Sequence, residues 1–324
     1  MRITRRRAQV TLGLLWLLAG ALQLQPFMFT TGFAHRIIAP AGDQQPAVVA
    51  GPVHWAARLI ATAPLPLDLL FAATQLLLGA ALVLAHSARR VRLALGASIA
   101  WALAVWWLGE GLGGLTSAHA LMLTGGPGAV VLYAVVALAL WPARPPASGG
   151  LPGDAAVRTE PADGLRTGWL TWSWVVLWVG AAVLQALPGN GALQAVAGSA
   201  DSAPAWLRPA GAHTVSALAA GGTAVTIALV AAQALIGLAA LRPRLRPPAA
   251  GAAVALSLVF WVLGQSLGGL STGQATDPNA APLYVLLALL LAATAPRAAR
   301  AAPGVPAGRE AAVARPVAPA HRSG

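Results

Sequence analysis

Long apolar runs separated by short arginine-containing segments are the feature that most limits what this chain can fold into. A bilayer core of about 30 Å requires about 20 helical residues, and about 17 still suffice. Six runs reach or approach that length, and two shorter ones each end one half of the chain. In order, the eight runs are 10–28, 66–85, 91–108, 128–141, 169–187, 216–241, 249–264 and 281–295. The pattern predicts an all-α, polytopic membrane protein with eight transmembrane helices.

The composition excludes a soluble globular protein. Hydrophobic residues make up 57% of the chain and charged residues only 9%, whereas soluble proteins carry roughly 25% charged residues. The absence of Cys excludes disulfides, Fe–S clusters and thiolate zinc sites. The chain contains Arg but no Lys, and Ala, Gly and Pro are abundant. This composition is typical of bacterial proteins encoded by GC-rich DNA.

The distribution of arginine predicts the orientation in the membrane. The net charge of +12 comes from arginines that lie between the apolar runs, so it indicates topology rather than a nucleic-acid partner. A cytoplasmic N-terminus leaves only Arg36, Arg58 and Arg208 of the 21 arginines on the outer side. The first run lacks a small-residue cleavage site and is predicted to be retained. We therefore expect a multi-pass protein of the bacterial plasma membrane with both termini in the cytoplasm.

The two halves of the chain repeat each other. Residues 106–116 read WWLGEGLGGLT and residues 261–271 read WVLGQSLGGLS, while LYAVVAL at 132–138 matches LYVLLAL at 283–289. Each unit has four spans, an even number, so both copies enter the membrane from the same side. The sequence thus predicts two parallel four-helix repeats related by a pseudo-two-fold axis along the membrane normal.

The repeat divides the chain into four segments. Residues 1–141 form the first four-helix membrane repeat and residues 169–295 the second. Between them, residues 142–168 are rich in Pro, Ala and Gly and are predicted to be a cytoplasmic linker. Residues 296–324 have a similar composition with several arginines, which predicts a disordered cytoplasmic tail.

The repeated Gly-rich block is the strongest candidate for a binding site. Glycine-interrupted apolar segments at matching positions of two halves expose backbone dipoles to a cavity. Glu110 and its counterpart Gln265 would face that cavity, next to the backbone of Gly113 and Gly268. The alternative is that these glycines only allow helices to pack closely.

Three further residues complete the candidate site. Asp68 lies inside the second span, where an ionisable group is costly and is by default a functional hypothesis. His119 and Asp277 each follow one copy of the Gly-rich block and are candidates for its rim. The stretch from Thr276 to Asn279 also has the residue types of a helix N-cap, which is the structural alternative for Asp277.

Three functional hypotheses remain open at this point. The first is a transporter or permease-like protein with an outward-facing site between the repeats. The second is a non-catalytic scaffold or assembly factor that works through the outer loops 30–65 and 188–215. The third is a metal-handling or redox membrane protein that uses outer-face His and Met side chains, which suit copper, although no dense cluster of them exists. The outer-face His and Met side chains of this third hypothesis are His35, His54, His119, His213, Met28 and Met122.

No catalytic motif or cofactor-binding motif supports an enzyme, so no cofactor is predicted. The expected partners are the lipid bilayer and either a small ligand or another membrane protein, with no nucleic acid. An acidic group at the axis between the halves would favour the transporter. A dry axis packed with glycine would favour the scaffold, and converging His and Met side chains would favour metal handling.

Overall fold

The structure, a computed structural model, describes residues 3–117, 120–142, 167–199 and 202–296. Every regular element within these ranges is helical. The helices are α1 (Arg5–Leu22), α2 (Thr31–Phe33), α3 (Ala47–Thr62), α4 (Pro64–Leu84), α5 (Ala88–Leu108), α6 (Ala129–Ala139), α7 (Thr167–Gln185), α8 (Ala192–Ser199), α9 (Arg208–Ala239), α10 (Arg246–Leu263) and α11 (Ala281–Ala293). We call the described residues up to 142 the first half and those from 167 the second half.

Five helical segments are long and apolar enough to cross a membrane. They are α4, α5, α7, α9 and the segment Pro243–Leu263 that contains α10. Helix α1 has 18 residues but carries three arginines in its first turn. Helices α6 and α11 are apolar but have only 11 and 13 residues, and at about 1.5 Å per residue they cover roughly 16–20 Å.

Local signals explain where the long helices begin and end. Ser87 is the N-cap of α5, and its hydroxyl accepts a hydrogen bond from the Arg90 amide at 3.4 Å. Helix α4 starts with Pro64, which costs no hydrogen bond in a first turn. At the other end of α5, Gly109 is the C-cap. These signals account for helix ends within a few residues of the apolar runs.

Two helices differ from the sequence-based expectation. Residues 30–65 were predicted as an outer loop, but Ala47–Thr62 forms helix α3 despite a proline inside it. Its buried residues follow a helical spacing that the proline-rich surroundings concealed, namely Val49, Val53, Ala56, Ala57 and Ile60. Helix α9 begins eight residues earlier than the predicted span, at Arg208, and is kinked at Gly222.

The short helices α6 and α11 lie at the centre of the bundle. Both are buried along most of their length and contact each other. Helix α6 also contacts α7 of the second half, and α11 contacts α1 of the first half. Aromatic rings in tilted and edge-to-face pairs fill the core beside them, with the Trp16 and Tyr133 centroids 4.2 Å apart and those of Trp178 and Tyr284 5.9 Å apart.

Arginine side chains gather at one end of the bundle and bond to the carbonyl ends of helices. Arg5 donates to the Leu140 carbonyl after α6 at 2.9 Å, and Arg6 donates to the Ala85 carbonyl after α4 at 2.8 Å. In the second half, Arg246 donates to the Ala240 carbonyl after α9 at 3.0 Å. A cation is favourable at a helix C-terminus, where carbonyl groups are otherwise unpaired. The Gly-rich turns lie at the opposite end.

Candidate functional site

Both Gly-rich turns adopt the same unusual backbone conformation. In the first half, Leu112 and Gly113 have φ angles of 57° and 59°, and in the second half Leu267 and Gly268 have 57° and 71°. A leucine in this left-handed region is costly and persists only where surrounding structure enforces it. Each turn therefore has a defined shape that its neighbours hold in place.

In the first half, the turn is fixed against the segment that leads into α6. The Trp106 indole N–H donates to the Pro127 carbonyl oxygen at 2.7 Å. A Cβ atom on Gly113 would lie 1.8 Å from that same oxygen, so only glycine fits there. The turn and the start of α6 are consequently one packed unit.

The second half repeats this arrangement. The Trp261 indole N–H donates to the Pro278 carbonyl oxygen at 2.9 Å. A Cβ atom on Gly268 would lie 2.7 Å from the Pro278 carbonyl. The close-packed turn that the sequence offered as an alternative thus exists in both halves.

Glu110 and Gln265 occupy matching places at the start of the short helices. The amide of Val130 donates to Glu110 Oε1, and the amide of Ala281 donates to Gln265 Oε1, each at 3.3 Å. Gln265 uses its Nε2 as well, donating to the Met122 carbonyl of the first half at 3.2 Å. The second oxygen of Glu110 is buried and meets no donor at full hydrogen-bond geometry in the described part of the chain, although the nearby Ala129 amide helps to stabilise the carboxylate.

A cavity of about 1450 Å³ lies between the two halves, at the end of the bundle opposite the arginines; we call it the vestibule. It exists because α6 and α11 stop short of this end. Of the predicted site residues, the structure brings five to its wall: Glu110, Gly113, Gln265, Gly268 and Asp277. Further polar residues on the wall are Arg36, Thr124, Ser199, Ser202, Arg208, Gln274 and Asn279.

One carboxyl group of the vestibule perturbs the other. Burial raises the pKa of Glu110 from 4.5 to about 8, and the nearby Asp277 adds to the rise. Burial also raises the pKa of Asp277, whose Oδ1 accepts from the Asn279 amide at 2.6 Å and whose Oδ2 accepts from the Thr276 hydroxyl at 3.1 Å. Asp277 therefore orders its own turn while its charge acts on Glu110.

Of the remaining two predicted site residues, one is away from this wall and the other lies outside the described residues. Asp68 is fully buried in α4, neither of its carboxyl oxygens has a partner among the described residues, and it does not line the vestibule. His119 lies outside the described residues. The grouping of Asp68 with Glu110 in one site therefore stays a prediction, and the vestibule lining does not include Asp68.

A second cavity, which the sequence did not predict, lies within the first half; we call it the apolar cavity. Its volume is about 330 Å³, and α1, α3, α4, α5 and α6 surround it. Glu110 and Asp277 line both cavities and mark the place where they meet. The missed signal was the set of aromatic residues carried by these helices and by α2: Trp16, Phe33, Trp55, Phe71, Trp101 and Tyr133.

The metal hypothesis gains no support from side-chain positions. Within the described ranges, no three His, Cys, Asp or Glu side chains are grouped so that they could hold a metal ion. His54 Nε2 lies 3.9 Å from Asp43 Oδ1, which is a weak pair on an exposed surface.

Comparisons of the chain with models of protein families, with curated proteins and with solved structures find no match. What the protein does must therefore be inferred from the two cavities, their charges and the matching turns.

Proposed function

We propose that this chain is a transporter-like or permease-like protein that binds a small ligand in the vestibule between its two halves. In this proposal eight spans form two parallel four-helix repeats, 1–141 and 169–295, joined by the cytoplasmic linker 142–168 and followed by the tail 296–324. The protein lies in the bacterial plasma membrane with both termini cytoplasmic and the vestibule open to the outside.

Matched hydrogen bonds support the duplication. The Trp-to-Pro bond of the turn, the backbone conformation after it and the side-chain cap on the following helix all recur in the second half. A repeat that pairs α6 with α11 also pairs α1 with α7, so the contact of α6 with α7 corresponds to the contact of α11 with α1. A two-fold axis would pass between the short helices and through the vestibule.

The separation of the arginines from the vestibule supports the orientation. Cytoplasmic segments carry an excess of arginine, and the arginine-rich end lies opposite the vestibule. Arg36 and Arg208, two of the three arginines assigned to the outer side, line the vestibule itself. Their charge can attract anionic groups to a site that also contains Glu110.

The incompletely paired, buried oxygen of Glu110 carries the ligand proposal. A buried polar oxygen that is incompletely paired is unfavourable, and a ligand that donates a hydrogen bond would satisfy it. The scaffold alternative has its own support, because the glycines of both turns are needed for close packing. A scaffold, however, requires neither a vestibule of this size nor an incompletely paired acceptor in its wall.

Protection of a cysteine placed in the vestibule tests the proposal. Thr124 is exposed there, and the Cys-free chain makes Thr124→Cys a unique label site. We expect at least one solute from a panel of organic cations, organic anions, sugars and amphipathic amines to slow maleimide labelling in nanodiscs. The same solute should protect less when Glu110→Gln is added. If no class protects, the vestibule is not a ligand site and the scaffold function replaces this one.

A further inference from the structure

We propose that the ligand is an amphipathic organic cation, whose apolar body occupies the apolar cavity and whose ammonium group lies between Glu110 and Asp277. This inference rests on the proposed function, because it assigns a ligand class to the same site.

The walls of the apolar cavity fit an apolar or aromatic body. Six aromatic side chains and several aliphatic ones line a volume of about 330 Å³, at the lower end of the usual range for small-molecule sites. The rings of Phe71 and Trp101 lie 5.9 Å apart. Aromatic faces attract cations as well as apolar groups, so the walls suit both parts of such a ligand.

Of the four buried side-chain polar atoms on this wall that lack a partner at full hydrogen-bond geometry among the described residues, three are acceptors. The acceptors are Oε1 of Gln23, Oε1 of Gln75 and Oε2 of Glu110, and the Trp101 indole N–H is the donor. The side chains of Gln23 and Gln75 are only 5% and 6% exposed. A ligand with N–H donors would satisfy acceptors that the described residues leave open.

The charge at the junction of the two cavities selects a cation. Glu110 and Asp277 are the acidic side chains that line the apolar cavity, and no Arg, Lys or His is among its described lining residues. An anion entering the apolar cavity would therefore meet two carboxyl groups and no counter-charge. An ammonium group would gain charge-assisted hydrogen bonds.

The second half does not reproduce these features. In the alignment of the repeats, Glu110 corresponds to Gln265, Trp101 to Leu256 and Phe71 to Leu229. The turn and its caps recur, as does Tyr133 in Tyr284, but Phe71, Trp101 and the acid Glu110 do not. The halves thus share a scaffold, and the first half carries most of the site, to which the second half adds Asp277.

Binding of radiolabelled 4-phenylbutylamine to the full chain in nanodiscs tests the inference. Matched probes are 4-phenylbutan-1-ol, which is neutral, 4-phenylbutanoate, which is an anion, and tetramethylammonium, which lacks the apolar body. We expect the amine to bind more tightly than all three. Glu110→Gln should weaken amine binding roughly ten- to a hundredfold, the range of one charge-assisted hydrogen bond. Asp43→Asn removes an exposed carboxylate and should have no effect.

The pH dependence gives a second signature. Because burial raises the pKa of Glu110 to about 8, its carboxylate forms as the pH rises from 7 to 9, while a primary amine stays protonated. Amine binding should strengthen over this interval in the wild type and change little in Glu110→Gln. The ionisable groups that interact with Glu110 are Asp277, in the turn before α11, and Tyr133 on α6.

A variant that fills only the apolar cavity separates this inference from the proposed function. Ala104 lines the apolar cavity but not the vestibule. Ala104→Phe should abolish binding of 4-phenylbutylamine and leave protection of Thr124→Cys by small polar solutes unchanged. Equal binding of amine, alcohol and anion, or no effect of Ala104→Phe and Glu110→Gln, would overturn the inference. Protection of Thr124→Cys by any other solute class would then leave the proposed function standing.

Discussion

At the scale of single residues, the difference between Glu110 and Gln265 is the most informative feature. The repeated block predicted that these two residues are equivalent, and both do cap a short central helix. The sequence predicted Asp277 at the rim of the same site, but it could not predict that Asp277 would come close enough to raise the pKa of Glu110, because the two positions are far apart in the chain. Nor could the sequence predict that Asp68 is buried away from the vestibule. A lone carboxylate in an apolar run does not indicate which way its side chain faces.

Glu110 should make the stability of the protein depend on pH. Its pKa in the fold, about 8, is above the ordinary value of 4.5, so the folded state retains a proton that the unfolded state has lost. The favourable contribution is complete below pH 4.5 and is lost as the pH rises through 8. Between these values the melting temperature of the wild type should fall relative to that of Glu110→Gln, measured in the same detergent. Parallel melting curves across this range would contradict the assignment.

At the scale of elements, the Gly-rich turns determine where the central helices begin. The sequence predicted the block, its repetition and the shortness of the helices after it. It could not predict the left-handed leucines, because Leu112 and Leu267 disfavour that conformation and only tertiary contacts enforce it. Helix α3 was missed for a related reason. Pro52 disfavours a helix in the sequence, but packing against the bundle stabilises the helix around it.

Adding a methyl group to a turn glycine should destabilise the protein strongly. In Gly113→Ala the Cβ would overlap the Pro127 carbonyl oxygen at a positive φ. We expect a loss of about 2–3 kcal/mol or more in the free energy of unfolding, the range for combined strain and overpacking. Gly251→Ala is the matched control, because its Cβ would meet nothing within 4 Å in α10, and helical Ala is favoured over Gly by about 1 kcal/mol. Denaturant titration of both variants in detergent measures this, and equal stabilities would refute the packing role.

At the scale of the whole molecule, the two halves enclose the vestibule, and the apolar cavity beside it is lined mainly by the first half. Hydropathy and arginine placement predicted a helical membrane protein, and the five long apolar helices agree with that class. The apolar cavity could not be predicted, because its wall combines five helices and a turn of the second half. Sequence periodicity reports which residues are apolar, but not which helices diverge and leave space between them.

Cysteine accessibility in intact cells is the measurement that tests the central claim most directly. Three single-cysteine variants of the full chain are labelled with a membrane-impermeant maleimide: Thr124→Cys in the vestibule, Leu77→Cys on the exposed face of α4, and Ala88→Cys at the arginine-rich end. We predict that Thr124→Cys reacts in intact cells, that Ala88→Cys reacts only after permeabilisation, and that Leu77→Cys reacts in neither condition because lipid covers it. Labelling of Ala88→Cys but not Thr124→Cys in intact cells would reverse the orientation, and ready labelling of Leu77→Cys would contradict a membrane-spanning α4.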